Sequence, residues 1–326
     1  MSAKAAEIIR KRIERGLIPA VPVPFDATGC MAVQAQERYA RHMAKEPVAG
    51  VAVWAHTGRG LHLDADQRRQ VLYTWRNLLG TEKVIVAGVG ALHRGGADPT
   101  AFMEAALAMA QDAIDGGADA FLVHPPTLFR GLPRERKLIV DYHRRLAATG
   151  APLILFYLYE AAGGISYSVE TLRLLLSLPE VVGIKLATLD SVMTYQFVAN
   201  LLAAEFPAKL LITGEDRFLG YSLMCGARSA LIGMGAACTK LQRDMMHSCF
   251  AGSGNDFLRL SGCVDRLSQV MFVPPMEGYI RRLLWALVHL GVLEPEFAHD
   301  PWGPQLDYSE FVAIGKTLHV LGQLKE

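Results

Sequence analysis

The chain has 326 residues, is 51% hydrophobic, and carries 33 basic against 32 acidic residues for a formal net charge of +1. That is enough apolar material for one large α/β domain with an extension, or for two ordinary domains, and the near-zero charge leaves no electrostatic footprint for nucleic acid or an anionic membrane. Five scattered cysteines (Cys30, Cys225, Cys238, Cys249 and Cys263) include no C-x-x-C pair, so they imply neither a disulfide framework nor a zinc knuckle and suit a reducing cytoplasm.

Residues 1–16 are charged and helix-prone, without the apolar stretch of a leader, and the longest apolar run, 283–293, is too short to span a bilayer. A soluble, unprocessed protein is expected. Strand-type runs then recur at residues 18–23, 51–54, 84–89, 120–123, 153–157, 181–185, 210–213 and 230–232. Amphipathic segments such as 65–79, 100–114, 134–146 and 169–176 lie between them, the alternation that a parallel sheet with crossover helices requires. Eight βα units, with no G-x-G-x-x-G after the first strand, predict a closed (β/α)8 TIM barrel ahead of a doubly wound sheet. A small polar break at 251–255 divides the chain into a barrel with an N-terminal helix (1–252) and a C-terminal helical extension (253–326), with helices over 257–270, 276–290 and 308–321.

In such barrels the chemistry lies at the C-terminal ends of the strands. The run Val181-Val182-Gly183-Ile184-Lys185 is apolar and β-branched, yet it ends on a lysine. In low dielectric an ammonium is disfavoured and the neutral amine can attack a carbonyl, which makes Lys185 a candidate Schiff-base nucleophile. The same rim presents His56-Thr57-Gly58-Arg59 after strand two, His124 after strand four, Tyr157-Leu158-Tyr159-Glu160 after strand five, Gly214-Glu215-Asp216 after strand seven and Gly233-Met234-Gly235 after Ile232 of strand eight. An amine, a phenol and a hydroxyl together supply a nucleophile, an acid/base and an anion-binding donor.

These residues resemble the dihydrodipicolinate synthase and N-acetylneuraminate lyase family of class I aldolases. Val23-Pro24-Phe25 is similar to the family's V-T-P-F, Gly183-Ile184-Lys185 to its imine-forming G-I-K, Thr57-Gly58 to the T-G of G-T-T-G-E, and Gly214-Glu215-Asp216 to its G-D-D or G-E-D turn. Tyr157, 28 positions before Lys185, falls on the Y-N-V-P tyrosine when aligned without a gap. The resemblance implies that Lys185 condenses with a 2-oxo acid and that Tyr157 shuttles protons. It also implies that Thr57, Gly58 and nearby N–H groups hold the carboxylate, with the backbone after Ile232 close to the substrate. It implies no metal and no organic cofactor, and tetramers built from tight dimers.

The departures fall on residues that select the second substrate. Ala162 stands where the synthase has its carboxylate-clamping arginine, His56 and Arg59 replace the first threonine and the glutamate of T-T-G-E, Glu160 replaces a proline, and Thr127 stands near the expected trans tyrosine. His56 reads either as a loop histidine packed beneath Trp54 or against a neighbouring subunit, or as a donor to a substrate hydroxyl or carboxylate; His124, Glu160, Tyr159 and Arg59 are further candidates. The expectation is a lyase acting on pyruvate or a longer 2-oxo acid, by aldol cleavage of a 2-oxo-3-deoxy sugar acid or by synthase-type condensation. The rivals are a keto-deoxy aldarate dehydratase/decarboxylase, a non-catalytic sugar-acid sensor, and a phosphosugar aldolase resting on Gly233 and Gly235.

Overall fold

The computed structural model describes residues 2–93 and 98–324. A first helix, α1 (Ser2–Ile13), precedes β1 (Leu17–Pro19), α2 (Val33–Ala44), β2 (Gly50–Val53), α3 (Ala65–Leu79), β3 (Val84–Val89), α4 (Pro99–Asp115) and β4 (Ala120–Val123). The alternation continues through α5 (Glu135–Ala147), β5 (Leu153–Leu158), α6 (Val169–Leu176), β6 (Val181–Ala187), α7 (Val192–Glu205), β7 (Leu210–Thr213), α8 (Leu219–Met224), β8 (Ser229–Ile232) and α9 (Thr239–Phe250). Three helices end the chain: α10 (Gly254–Met271), α11 (Tyr279–His289) and α12 (Tyr308–Val320).

Every strand pair is parallel, in the order β1-β8-β7-β6-β5-β4-β3-β2. The two edges meet where Ala49 N–H donates to the Leu17 carbonyl and Val21 N–H to that of Ala52, at 3.0 and 3.1 Å. The result is a nearly closed TIM barrel, and the doubly wound alternative falls away. Strand β1 is shorter than expected because Pro22 and Pro24 have no N–H to give a ladder.

Side chains alternate between two cores. The lumen is filled by residues such as Ala52, Val86, Leu122, Ile154, Phe156 and Ile212, with Ala6, Ile9 and Ile13 of α1 packed into the same cluster. Arg12 donates to the Thr81 carbonyl just before β3, at 2.7 Å, which places α1 across the N-terminal end of the barrel. The outer strand faces pack on the helices in the larger cluster. Helix starts are set locally: Asp64 and Gln67 form a capping box on α3, and Asp98 caps α4 with Pro99 following. Among the described residues no helix is long and apolar enough to cross a membrane.

One irregularity governs the site. Leu153 pairs with Val181, but Ile154 pairs with Gly183, so β6 holds one extra residue against β5. Beyond this bulge Phe156 lies opposite Lys185, and Tyr157 lies opposite Leu186. A slip of one residue exchanges the two faces of a strand.

Candidate active site at the barrel mouth

Strand β6 does not end at Lys185 but runs on to Ala187, so the lysine stands within the ladder, between Phe156 of β5 and Ile212 of β7. Its Nζ lies 4.2 Å from the centroid of the Phe156 ring, within cation–π range. Gly214 makes room for it, since a Cβ there would come within 2.6 Å of Lys185 Cε. Burial pushes the Lys185 ammonium below the usual lysine range, while the carboxylates of Asp216 and Glu215 pull the other way.

Both carboxylates are tied to backbone. Asp216 accepts from Met234 N–H at 2.7 Å and Gly233 N–H at 3.3 Å, linking the end of β7 to that of β8; burial raises its pKa. Glu215 accepts from the N–H and Oγ1 of Thr188 and from Leu189 N–H, at 2.5, 2.9 and 3.0 Å. Burial pushes its carboxyl up to about 7 against those three donors.

The stretch between α10 and α11 turns back over the mouth. Arg282, fully buried, holds it by donating to the carbonyls of Val273 and Pro275 at 2.8 and 3.2 Å, with a 2.6 Å contact to Glu310. Three contacts follow with the loop after β2. The Tyr279 hydroxyl and Thr57 Oγ1 share a hydrogen bond at 2.9 Å, Glu277 meets His56 Nε2 at 2.9 Å, and Arg59 Nη1 donates to Glu277 at 2.7 Å. Arg59 also reaches Asp300 through Nε and Nη2. Burial would raise the Glu277 carboxyl, but His56 and Arg59 outweigh it and hold it near 2. The loop carries backbone strain, with Trp54 and Arg59 at φ of +56° and +51°, a region that non-glycine residues occupy at a cost of about 1–3 kcal/mol each.

Two adjoining cavities result. The inner one, of about 40 Å³, is bounded by Lys185, Thr57, Tyr159, Gly233, Asp216 and Tyr279 among others. The outer one, of about 350 Å³, lies among His62, Ala91, Leu92, Pro125 and Ala161, and shares His56, Leu158, Ala162 and Glu277 with the first.

The structure therefore brings Lys185, Thr57, His56 and Tyr159 together, and it corrects several expectations. Tyr157 faces the helix layer, edge-on to Tyr167 at 5.7 Å, because the bulge in β6 turned its partner position outward. Arg59 lines the outer cavity but is bound to Asp300 and Glu277. His124 also lines it; its Nε2 donates to the Trp54 carbonyl at 3.0 Å and burial lowers it to about 4, so it is a neutral strut. Glu160 is an exposed charge 3.5 Å from Arg130. Gly58 and Ile232 are buried behind the cavity walls, and Gly233 takes the wall position beside Ile232. His56 is held by Glu277 rather than beneath Trp54. Sequence reasoning missed Glu277, Tyr279 and Asp300, since an amphipathic pattern marks a helix without showing which end overhangs the barrel; the Pro274-Pro275 break before them is the one local signal.

A nearly closed (β/α)8 barrel with a lysine buried in its lumen places the chain among the TIM-barrel proteins. The model of the dihydrodipicolinate synthetase family matches residues 14–316. The chain is 27% identical over 259 residues to a 4-hydroxy-tetrahydrodipicolinate synthase of Synechococcus sp. (strain CC9605), covering 78% of this chain and 80% of that protein. It is 20% identical over 312 residues to N-acetylneuraminate lyase 2 of Escherichia coli O6:H1, covering 96% and 93%. Its fold matches the Ruminococcus gnavus sialic acid aldolase, solved as a catalytic lysine mutant, with a TM-score of 0.79 at 17% identity over 96% of this chain and 98% of that one. The chain belongs to the dihydrodipicolinate synthetase family and is a lyase of its Schiff-base class.

Proposed function

We propose that Lys185 forms an imine with pyruvate or a longer 2-oxo acid, and that the protein catalyses reversible aldol cleavage or condensation at the carbon next to that imine. The observation that carries this reading is the position of Lys185: a buried amine whose charged form is disfavoured, on the wall of a small cavity that Thr57, Tyr159 and Tyr279 also line. The iminium withdraws electrons from the neighbouring carbon, so a carbanion equivalent can form there when the C–C bond is made or broken.

The 2-oxo acid head occupies the inner cavity and the aldehyde part the outer one. Among the described residues the one guanidinium on the outer wall is that of Arg59, whose donors face Asp300 and Glu277. Among the described residues, a second substrate carboxylate finds no unpaired arginine on that wall. Incubation with pyruvate and borohydride, followed by peptide mass spectrometry, tests the imine: a reduced adduct on Lys185 is expected, and its absence with pyruvate and longer 2-oxo acids alike refutes the reading. An adduct without turnover of any 4-hydroxy-2-oxo acid supports the sensor instead.

A further inference from the structure

Imine formation needs a proton carrier, and the tyrosine matched by spacing is turned away from the reacting amine. Two other phenols line the inner cavity, Tyr159 and Tyr279. Tyr159 is partly buried at the mouth. Tyr279 is buried, its ring stacked on Phe272 with centroids 4.7 Å apart, and its hydroxyl is bonded to Thr57 Oγ1 at 2.9 Å. Gly233 is what admits the pair: a Cβ there would come within 3.1 Å of the Tyr279 ring and 3.4 Å of Thr57 Oγ1. The Arg282 anchor fixes the segment from which Tyr279 begins its helix.

We propose that Tyr279, delivered by the C-terminal helices of the same chain, is the catalytic phenol of the imine chemistry, with Thr57 as its relay partner. This inference rests on the assignment of Lys185 as the imine-forming amine. Thr57 and Tyr279 line the same small cavity as Lys185, of about 40 Å³, so a 2-oxo acid bonded to Lys185 there is held close to these two side chains.

The proton balance shows what the pair must do. A lysine ammonium and a ketone give a protonated imine and one water, so two of the three ammonium protons finish on the departing oxygen. In the first step the deprotonated amine forms the C–N bond, the carbonyl π electrons move to oxygen, and a proton passes from nitrogen to that oxygen. In the second the nitrogen lone pair expels the hydroxyl, which takes back the proton that the ammonium released to solvent on becoming the amine, and leaves as water. A phenol bonded to a second hydroxyl can accept a proton on its oxygen while giving up its own, and so returns unchanged after each transfer. Burial keeps Tyr279 a neutral phenol, the form that can do this.

The test is the rate at which the Lys185–pyruvate imine becomes trappable by borohydride. Tyr279→Phe is expected to slow it by about a hundredfold or more, while the adduct still accumulates on long incubation; Tyr157→Phe should stay within about threefold of the unaltered protein, as expected of a side chain packed outside the lumen. If the unaltered protein forms no adduct, the Lys185 reading itself fails. If it does and Tyr279→Phe traps as fast, the relay is overturned while Lys185 stands. Should Tyr279→Phe not fold, Thr57→Val decides, since it removes the other hydroxyl: slow trapping supports the relay, and an unchanged rate overturns it.

Discussion

Arg59 and Asp300, 241 positions apart in sequence, meet in a two-pronged ion pair: Nη2 to Oδ2 at 2.7 Å and Nε to Oδ1 at 3.1 Å. Both side chains are almost wholly buried, at 7% and 2% exposure. Coulomb attraction here competes with the cost of desolvating two ions, so the pair contributes little net, but removing one member strands the other. Arg59→Met should therefore cost about 3–5 kcal/mol. In urea unfolding, the double variant with Asp300→Leu should be more stable than Arg59→Met alone. A double variant that is weaker than the single would show that the pair itself, not the stranded carboxylate, carries the energy.

The charge of Lys185 should be readable in a pH profile. Burial lowers its pKa from the ordinary 10.5, and Asp216 opposes that shift. Only the neutral amine attacks, so the rate of trapping with pyruvate should rise with pH through a midpoint below 10.5. Asp216→Asn removes a charge that stabilises the ammonium, and should move the midpoint further down by about one unit or more. A midpoint that stays put or moves up would show that the Asp216 field does not reach the amine.

Two buried histidines should each lower the stability of the fold in acid. Burial lowers His124 and His143 from 6.5 to about 4. Between those values the unfolded chain binds protons that the folded chain refuses, so the contribution of each histidine falls by roughly 3 kcal/mol as pH drops from about 6.5 towards 4, while Glu215, raised to about 7, acts in the opposite sense. Thermal melts of the unaltered protein and of a histidine variant across that range should differ by the histidine's share. His143→Gln, on α5 and away from the mouth, should remove about half of the histidine contribution; an unchanged slope would mean that His143 already titrates normally in the folded protein.

Much of the barrel is legible in the sequence because burial on both faces writes parallel strands as continuous apolar runs at regular spacing. Lys185 stands out for the same reason, a charge inside such a run. Tyr157 shows the limit. Its separation from Lys185 equals that of Leu153 from Val181, the pair just before the bulge, so in a regular ladder it would face the lysine. The extra residue at Val182–Gly183 changes the parity, and no local signal beyond Gly183 hints at it. The charged strap from Glu277 to Asp300 is likewise illegible, because its partners His56 and Arg59 are joined to it only by the closure of the fold.

The two cavities adjoin, with Lys185 on the wall of the inner one alone, and share the walls His56, Leu158, Ala162 and Glu277. Depth then becomes a clock. Under the proposed imine chemistry, a molecule joined to Lys185 enters before anything lodged in the outer chamber and leaves after it, which gives turnover a fixed queue. On that proposal the ketone-bearing partner is first in and last out, and its excess, not that of the aldehyde, governs how much enzyme stands idle with its inner chamber filled.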